Sequence, residues 1–487
     1  MTAATVSSVH APVYLDFKLV LNASAVFGGL CLVLSPFTPD TVPFAVGAMV
    51  PFACLRILYT PTMPAAMLYL FIWQWLEIFA RVLQAWVDGQ SMSAGTGGPN
   101  VTNAYWYMMA SLIVLAIVFR LVMTNMKPPT PAQRTAHFRW ATREVVMFYV
   151  VTFVVSTMAA VLGRGGLAQP MEALARVKIV GLFTLFVYGM STGRGTKIML
   201  AVVLFEIGTG FTGFLSDFRG VFVFLGIAAI AARIRWKFTT GLLLAAGLVA
   251  LTTLALFWTA VKTDYREYAS QSSDSQAIVM PLSDRMAYLG NKVLTFGDTD
   301  FGETSYKLLA RFAYVDIFAS VIDVRALSPE PIFMRQWKEA FEHVFQPRFL
   351  YPDKPELSDS DVYMRLTQRY LVDEVSQGTS ISVGYMGENY ADLGFPGMLV
   401  GIAFLGLILA TCLRILMSFN LPLVMREGIA MAFAFTMARD GVEVSLPKIL
   451  GAALMFMIVF LTVVRFAAPK IVRWLDSSGA AARAKAG

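Results

Sequence analysis

The chain is a succession of apolar runs separated by short polar turns, interrupted once by a long stretch in which polar and apolar positions mix at helical spacing. Apolar runs of about 17 to 25 residues are long enough to cross a hydrocarbon core as helices, and only helices or closed barrels satisfy the backbone there. Short alternating strands are absent, so the pattern predicts an all-α integral membrane protein. Twelve spans are predicted, at 19–35, 42–58, 64–86, 104–123, 144–162, 178–192, 197–215, 219–232, 239–261, 396–416, 427–438 and 448–467; the sixth, eighth and eleventh are short. The organisation expected is nine spans in 1–261, a large, partly helical loop at 262–395, and three spans with a basic tail in 396–487.

Composition agrees: 57% of the 487 residues are hydrophobic and 15% charged, far from a soluble domain. The net charge of +7 is unevenly spread, since the 262–395 stretch holds 20 of 32 acidic but only 13 of 39 basic residues. Basic residues gather in "NMKPPTPAQRTAHFRWATR", "STGRGTK", "RIRWK" and the tail. These can all face the cytoplasm together only in an even-numbered topology, with both termini inside and the large loop outside. The excess is thus a topology signal and not a nucleic-acid footprint. Cys31, Cys54 and Cys412 lie in apolar runs and read as small hydrophobes. The first apolar run reads as an anchor, because no small-residue cleavage site follows it.

In the large loop, "SYKLLARFAYVDIFASVI" and "PIFMRQWKEAFEHVF" have helical periodicity. The stripe Ile332, Phe333, Trp337, Phe341, Val344 and Phe345 suits a helix on the membrane surface or one packed on its own bundle. Charges at i and i+4 explain themselves: Arg365 with Asp361, Arg369 with Asp373, Lys307 with Glu303. Arg311 has no such anion, and Arg285 has only the adjacent Asp284; each needs an acid elsewhere or an anionic ligand.

The turn "SDFRG" places Asp217 and Arg219 between two apolar runs, at the predicted outer end of spans seven and eight. An arginine there is retained when it pairs internally or binds an anion. A phosphate clamp at a helix start is one reading, with Asp217 as partner the other. Glu77 and Arg81, four apart on the third span, are expected to pair with each other; Glu206 inside span seven is expected to be protonated or paired. Prolines 347, 352 and 355 in "QPRFLYPDKP" stiffen a segment that would hold Arg348 and Lys354 outward, for a polyanionic or sugar-phosphate substrate or as incidental surface charge. "DTD" at 298–300 and "DSD" at 359–361 are weak metal-motif signals, and the three histidines form no metal cluster. Glu388, Tyr390 and Asp392 in "GENYADLGFPG" stand where the loop meets the membrane. A carboxylate there suits a general base or a helix terminus equally.

Together, "SDFRG" opening a short span, the late large outer loop, "PRFLYPDKP" and "GENYADLGFPG" resemble the O-antigen polymerase (Wzy) and O-antigen ligase superfamily. The resemblance implies a GT-C-like membrane glycosyltransferase in the bacterial inner membrane that polymerises undecaprenyl-diphosphate-linked oligosaccharide repeat units into O-antigen or exopolysaccharide at the periplasmic face. It implies that Arg219 binds the donor diphosphate with Arg285, Arg311 or Arg348, that Glu388 is the base of an inverting, metal-independent transfer without cofactor, and that a chain-length regulator is a possible partner. The ligase branch has a histidine before the late Gly-rich segment. The corresponding "TSISVGYMGENY" has none, which favours the polymerase over a ligase acting on lipopolysaccharide core. A transporter of polysaccharide or lipid-linked oligosaccharide is the alternative from another class, but no repeat or continuous path of intramembrane charge supports it.

Overall fold

A computed structural model describes residues 13–95, 97–211, 218–271, 279–312, 314–327, 333–346, 351, 354, 358–369 and 381–484, with the side chains of 298 and 479–484 left aside. Among these the chain is helical apart from turns and one isolated bridge between Tyr14 and Arg235.

Among the described residues, nine helices are long and apolar enough to cross a membrane. They include Phe17–Phe37, Thr41–Leu58, Ala66–Val87, Val101–Met123, Thr142–Leu162 and Gly165–Thr192, and, after these, Phe238–Ser270, Gly384–Met417 and Leu446–Ser478. The three remaining predicted spans are the helices Thr196–Phe211, Phe218–Ala231 and Leu423–Ala438, of 16, 14 and 16 residues. At about 1.5 Å per residue the described stretches reach roughly 21 to 24 Å, and residues 212–217, between the first two, lie outside the described residues. The bundle is a protein membrane domain in composition and helix length, and the helices differ sharply in what they face. Ala66–Val87 is surrounded, with Phe71, Ile78, Phe79 and Val82 almost completely buried. The first half of Phe238–Ser270 exposes Phe238, Leu242, Leu243, Leu248 and Val249, as expected of a surface wetted by lipid.

Among the described residues the long loop contributes five further α-helices, at one end of the bundle: Leu282–Leu294, Phe301–Phe312, Val315–Leu327, Arg335–Phe345 and Asp359–Thr367. Phe301–Phe312 packs on Ala66–Val87 and Phe238–Ser270; Val315–Leu327 packs on Val101–Met123 and Gly384–Met417; Arg335–Phe345 packs on Gly384–Met417 and Leu446–Thr462. Phe238–Ser270 runs past Lys262 and Gly384–Met417 begins before Phe395, so both borders of the loop are helical. The second of these breaks at Gly394, whose φ of 62° and ψ of −174° only glycine adopts without cost, and Phe395 is extended. Arg325 donates from its guanidinium to the carbonyls of Tyr390 and Ala391, which the break leaves without helical partners.

Ile332 of the amphipathic stripe lies outside the described residues, and the rest, 333–345, is divided. Trp337 is 1% exposed, its ring 5.2 Å from that of Phe404, whereas Phe333 and Phe345 are exposed. The central part of the stripe is therefore core.

Candidate functional site

Two of the expected charge pairings are redrawn by the structure, and a third, Arg369 with Asp373, lies outside the described residues. Arg81 does not pair with Glu77. Its Nε lies 2.7 Å from Asp316 Oδ1 on a loop helix, because Arg81 reaches the loop end of its helix while Glu77 faces inward. Glu77 instead accepts the backbone amide of Val442 at 2.7 Å. Arg365 turns from Asp361 to Glu339, at 2.8 Å, and to Gln336. Two others fall as expected: Lys307 lies 2.7 Å from Glu303, and Glu206 is paired, with Lys178 at 2.7 Å and the Tyr149 hydroxyl at 2.6 Å.

The Glu77–Val442 bond fixes a turn, residues 439–445, that the sequence pattern did not single out. Gly441 has φ of 58°, and a Cβ there would lie 1.7 Å from Glu77 Oε2. Gly384 has φ of 79°, and a Cβ there would lie 2.2 Å from the Val442 carbonyl oxygen. Both glycines are required by close approach. Tyr385 N then donates to the Val444 carbonyl at 2.7 Å. The turn is thus threaded between the third span and the start of Gly384–Met417, and it presents Glu443.

Glu443 is half-buried, and Arg219 and Arg311 both act on it electrostatically. Burial pushes its carboxyl up to about 7; Arg311 and Arg219 oppose that rise and Asp440 adds to it. Among the described residues no hydrogen bond reaches its carboxylate. Arg219 opens the Phe218–Ala231 helix, donates from Nη2 to the Arg439 carbonyl at 3.4 Å, and places its guanidinium carbon 5.2 Å from the Trp73 ring centroid. Such stacking aims a guanidinium without consuming its forked donors. Trp73 meets Phe312 edge-on at 5.6 Å, so one aromatic ring joins the Arg219 helix to the one carrying Arg311. Arg311 is exposed on the last turn of its helix. Lys262 and Arg266, at the loop end of Phe238–Ser270, lie close enough to feel its charge. The result is a carboxylate with a raised pKa facing Arg219 and Arg311, with Lys262 and Arg266 on a third helix adjoining Arg311.

Tyr314 completes the centre. Its hydroxyl is buried with no hydrogen-bond partner among the described residues. Burial pushes its phenol well above the usual range, and the charges of Glu443, Asp359, Glu388 and Glu77 push it in the same direction. It remains a neutral donor.

The other expected site residues that the structure describes fall outside this group. Glu388 is 2% exposed, and its Oε2 accepts the Leu446 amide at 2.6 Å at the start of the last long helix. The geometry makes it a helix-terminus acceptor and not an accessible base. Asp392 does the same for Arg335–Phe345, accepting the Gln336 and Trp337 amides at 2.9 and 3.1 Å. Tyr390 packs among Tyr107, Phe318 and Arg325. Arg285 sits on Leu282–Leu294, with Nε donating to the Met280 carbonyl at 3.1 Å. Lys354 does not point outward: its ammonium donates to the His343 and Gln346 carbonyls, at the C-terminal end of Arg335–Phe345. Asp217 and Arg348 lie outside the described residues, as do most of "QPRFLYPDKP". The acidic pairs also find protein partners: Asp300 accepts the Glu303 amide at 3.0 Å, and Asp359 takes Lys448 at 2.5 Å and the Ser445 hydroxyl at 3.0 Å.

Glu443, Tyr314, Lys262 and Arg266 were missed because each looks ordinary in its own segment. The one available signal was the tight "RDGVEVS" turn between two apolar runs, which parallels "SDFRG" in form. No protein family, no curated protein and no solved structure matches the chain.

Proposed function

We propose that this chain is a membrane glycosyltransferase of the O-antigen polymerase–ligase type, with a GT-C-like arrangement of twelve spans, both termini cytoplasmic and the loop end facing the periplasm. Its donor is an undecaprenyl-diphosphate-linked oligosaccharide and its acceptor the sugar hydroxyl of another lipid-linked repeat unit. The observation that carries this reading is the convergence of Arg219 and Arg311 on Glu443 at the loop end, with Lys262 and Arg266 beside Arg311.

A donor outside the cytoplasm must carry its own leaving group, and a lipid diphosphate does. Its charge matches the cations, and the forked donors of arginine match phosphate oxygens two at a time. Glu443, with its pKa near the working pH, accepts the proton of the acceptor hydroxyl. The acceptor oxygen forms a bond to the anomeric carbon as the bond from that carbon to the diphosphate oxygen breaks, inverting the centre. The electron pair leaves with the diphosphate, where Arg219 and Arg311 stabilise the charge that develops. Glu443 replaces Glu388 in the role of base, since Glu388 is 2% exposed and turned to the Leu446 amide.

Reconstituted protein supplied with a lipid-diphosphate-linked repeat unit should give a ladder of products on a gel, insensitive to chelator and lost in Glu443→Ala. Transfer to lipopolysaccharide core without a ladder would make it a ligase. Movement of unchanged substrate across vesicles would make it a transporter and defeat the reading.

A further inference from the structure

A cavity of about 200 Å³, room for about six waters, opens at the other end of the bundle. Ala231, Ala232 and Arg233 line it at the end of the helix that Arg219 begins, so roughly 20 Å of helix separates it from the proposed catalytic group. Arg134 and Arg233 are exposed at its rim. Arg134 uses its Nε on the Pro129 carbonyl at 3.1 Å; Arg233 has a long contact of 3.5 Å to Asp16. Inside stands His137, 7% exposed, its Nε2 3.0 Å from the Ser191 hydroxyl. Its Nδ1 is buried with no hydrogen-bond partner among the described residues. An orphaned buried ring nitrogen is costly, and a ligand that answers it recovers that cost. Glu427 forms part of the wall, its Oε2 taking the Ala65 amide at 3.0 Å and leaving acceptor capacity. Phe138 and Leu423 make the wall partly apolar.

We propose that this cavity binds the headgroup of a membrane phospholipid carrying both a phosphodiester and a primary ammonium, the phosphate against Arg134 and Arg233 and the ammonium toward Glu427. Two cations and a carboxylate facing one small space select a zwitterion over a simple anion. His137 fits either way: burial holds its pKa down at about 4, so the ring is neutral. A protonated Nδ1 donates to a phosphate oxygen, and a bare Nδ1 accepts from the ammonium. The position at the ends of the apolar helices and the apolar part of the wall favour a lipid over a soluble phosphate.

The test is native mass spectrometry on the full chain, delipidated in detergent, with phosphatidylethanolamine, phosphatidylglycerol, diacylglycerol of the same acyl chains, phosphoethanolamine and inorganic phosphate as probes. The expected result is one retained phosphatidylethanolamine, bound at least 10-fold more tightly than any other probe. Arg134→Ala with Arg233→Ala should weaken it 10-fold or more, while Arg194→Ala with Lys197→Ala, exposed at the same end, should not. Glu427→Gln should erase the preference over phosphatidylglycerol. Unchanged affinity in the Arg134/Arg233 variant, which alters only exposed positions, would overturn the proposal. Equal binding of diacylglycerol, phosphatidylglycerol, phosphoethanolamine or inorganic phosphate by the unaltered protein would overturn it too.

Discussion

The Val442 amide donates to Glu77 Oε2 at 2.7 Å across 365 positions of sequence, and this bond holds the turn that presents Glu443 to Arg219 and Arg311. A buried carboxylate that accepts a backbone amide acts here as a structural anchor. The carboxylate to which the proposed function gives the role of base is its neighbour in space, Glu443.

Gly441→Ala tests that anchor. The positive φ alone costs an alanine about 1 to 2 kcal/mol, and its Cβ would displace the Glu77 carboxylate. The melting temperature should fall and transfer activity should be lost with it. Gly290→Ala, at a position with open space around it, should change neither.

The Arg81–Asp316 pair ties a loop helix to the third span, with the arginine side chain 3% and the aspartate 25% exposed. Asp316→Ala leaves a buried cation without its counter-charge, which costs about 3 to 5 kcal/mol for a fully buried pair; partial exposure of Asp316 places this one at the lower end. Thermal unfolding of Asp316→Ala and of the Arg81→Met/Asp316→Leu double variant should show the single change to be the more damaging.

Glu443 sets a pH dependence. As a base it must be deprotonated, so transfer should rise as pH climbs through about 7 and level off above. Because burial makes the folded state hold this proton more tightly than the unfolded chain, its contribution to stability falls as pH rises from the ordinary carboxylate range to about 7. Glu443→Gln should lower the rate about 10²- to 10⁴-fold, abolish the pH limb, and flatten the dependence of melting temperature on pH in that window.

Much of the architecture was legible in the sequence because apolar run length is a strong signal: nine of the twelve predicted spans are, among the described residues, helices long and apolar enough to cross a membrane. Arg219 and Arg311 were legible because an arginine without a local acid needs an explanation. Glu388 was left between two readings because a carboxylate at the mouth of a span looks the same whether it faces substrate or a distant backbone amide. Leu446, which claims it, lies 58 residues away. Arg81 was misjudged for a related reason, since i and i+4 spacing makes a pair possible but a loop helix brought a better-placed acid. Glu443 was invisible because its value comes from the Arg219 and Arg311 charges, contributed by two segments more than 100 residues away.

The most direct measurement is the rate of a single glycosyl transfer, with release of lipid diphosphate, by reconstituted protein and its Arg219→Ala, Arg311→Ala and Lys307→Ala variants. Each of the first two should lose at least about 10²-fold with an unchanged melting temperature, the cost expected when a charge-stabilising donor is removed. Lys307→Ala should stay within about twofold, because that lysine is paired with Glu303 one turn away on its own helix. Full transfer activity in Arg219→Ala would contradict the account, leaving Arg219 as no more than the cation stacked on Trp73.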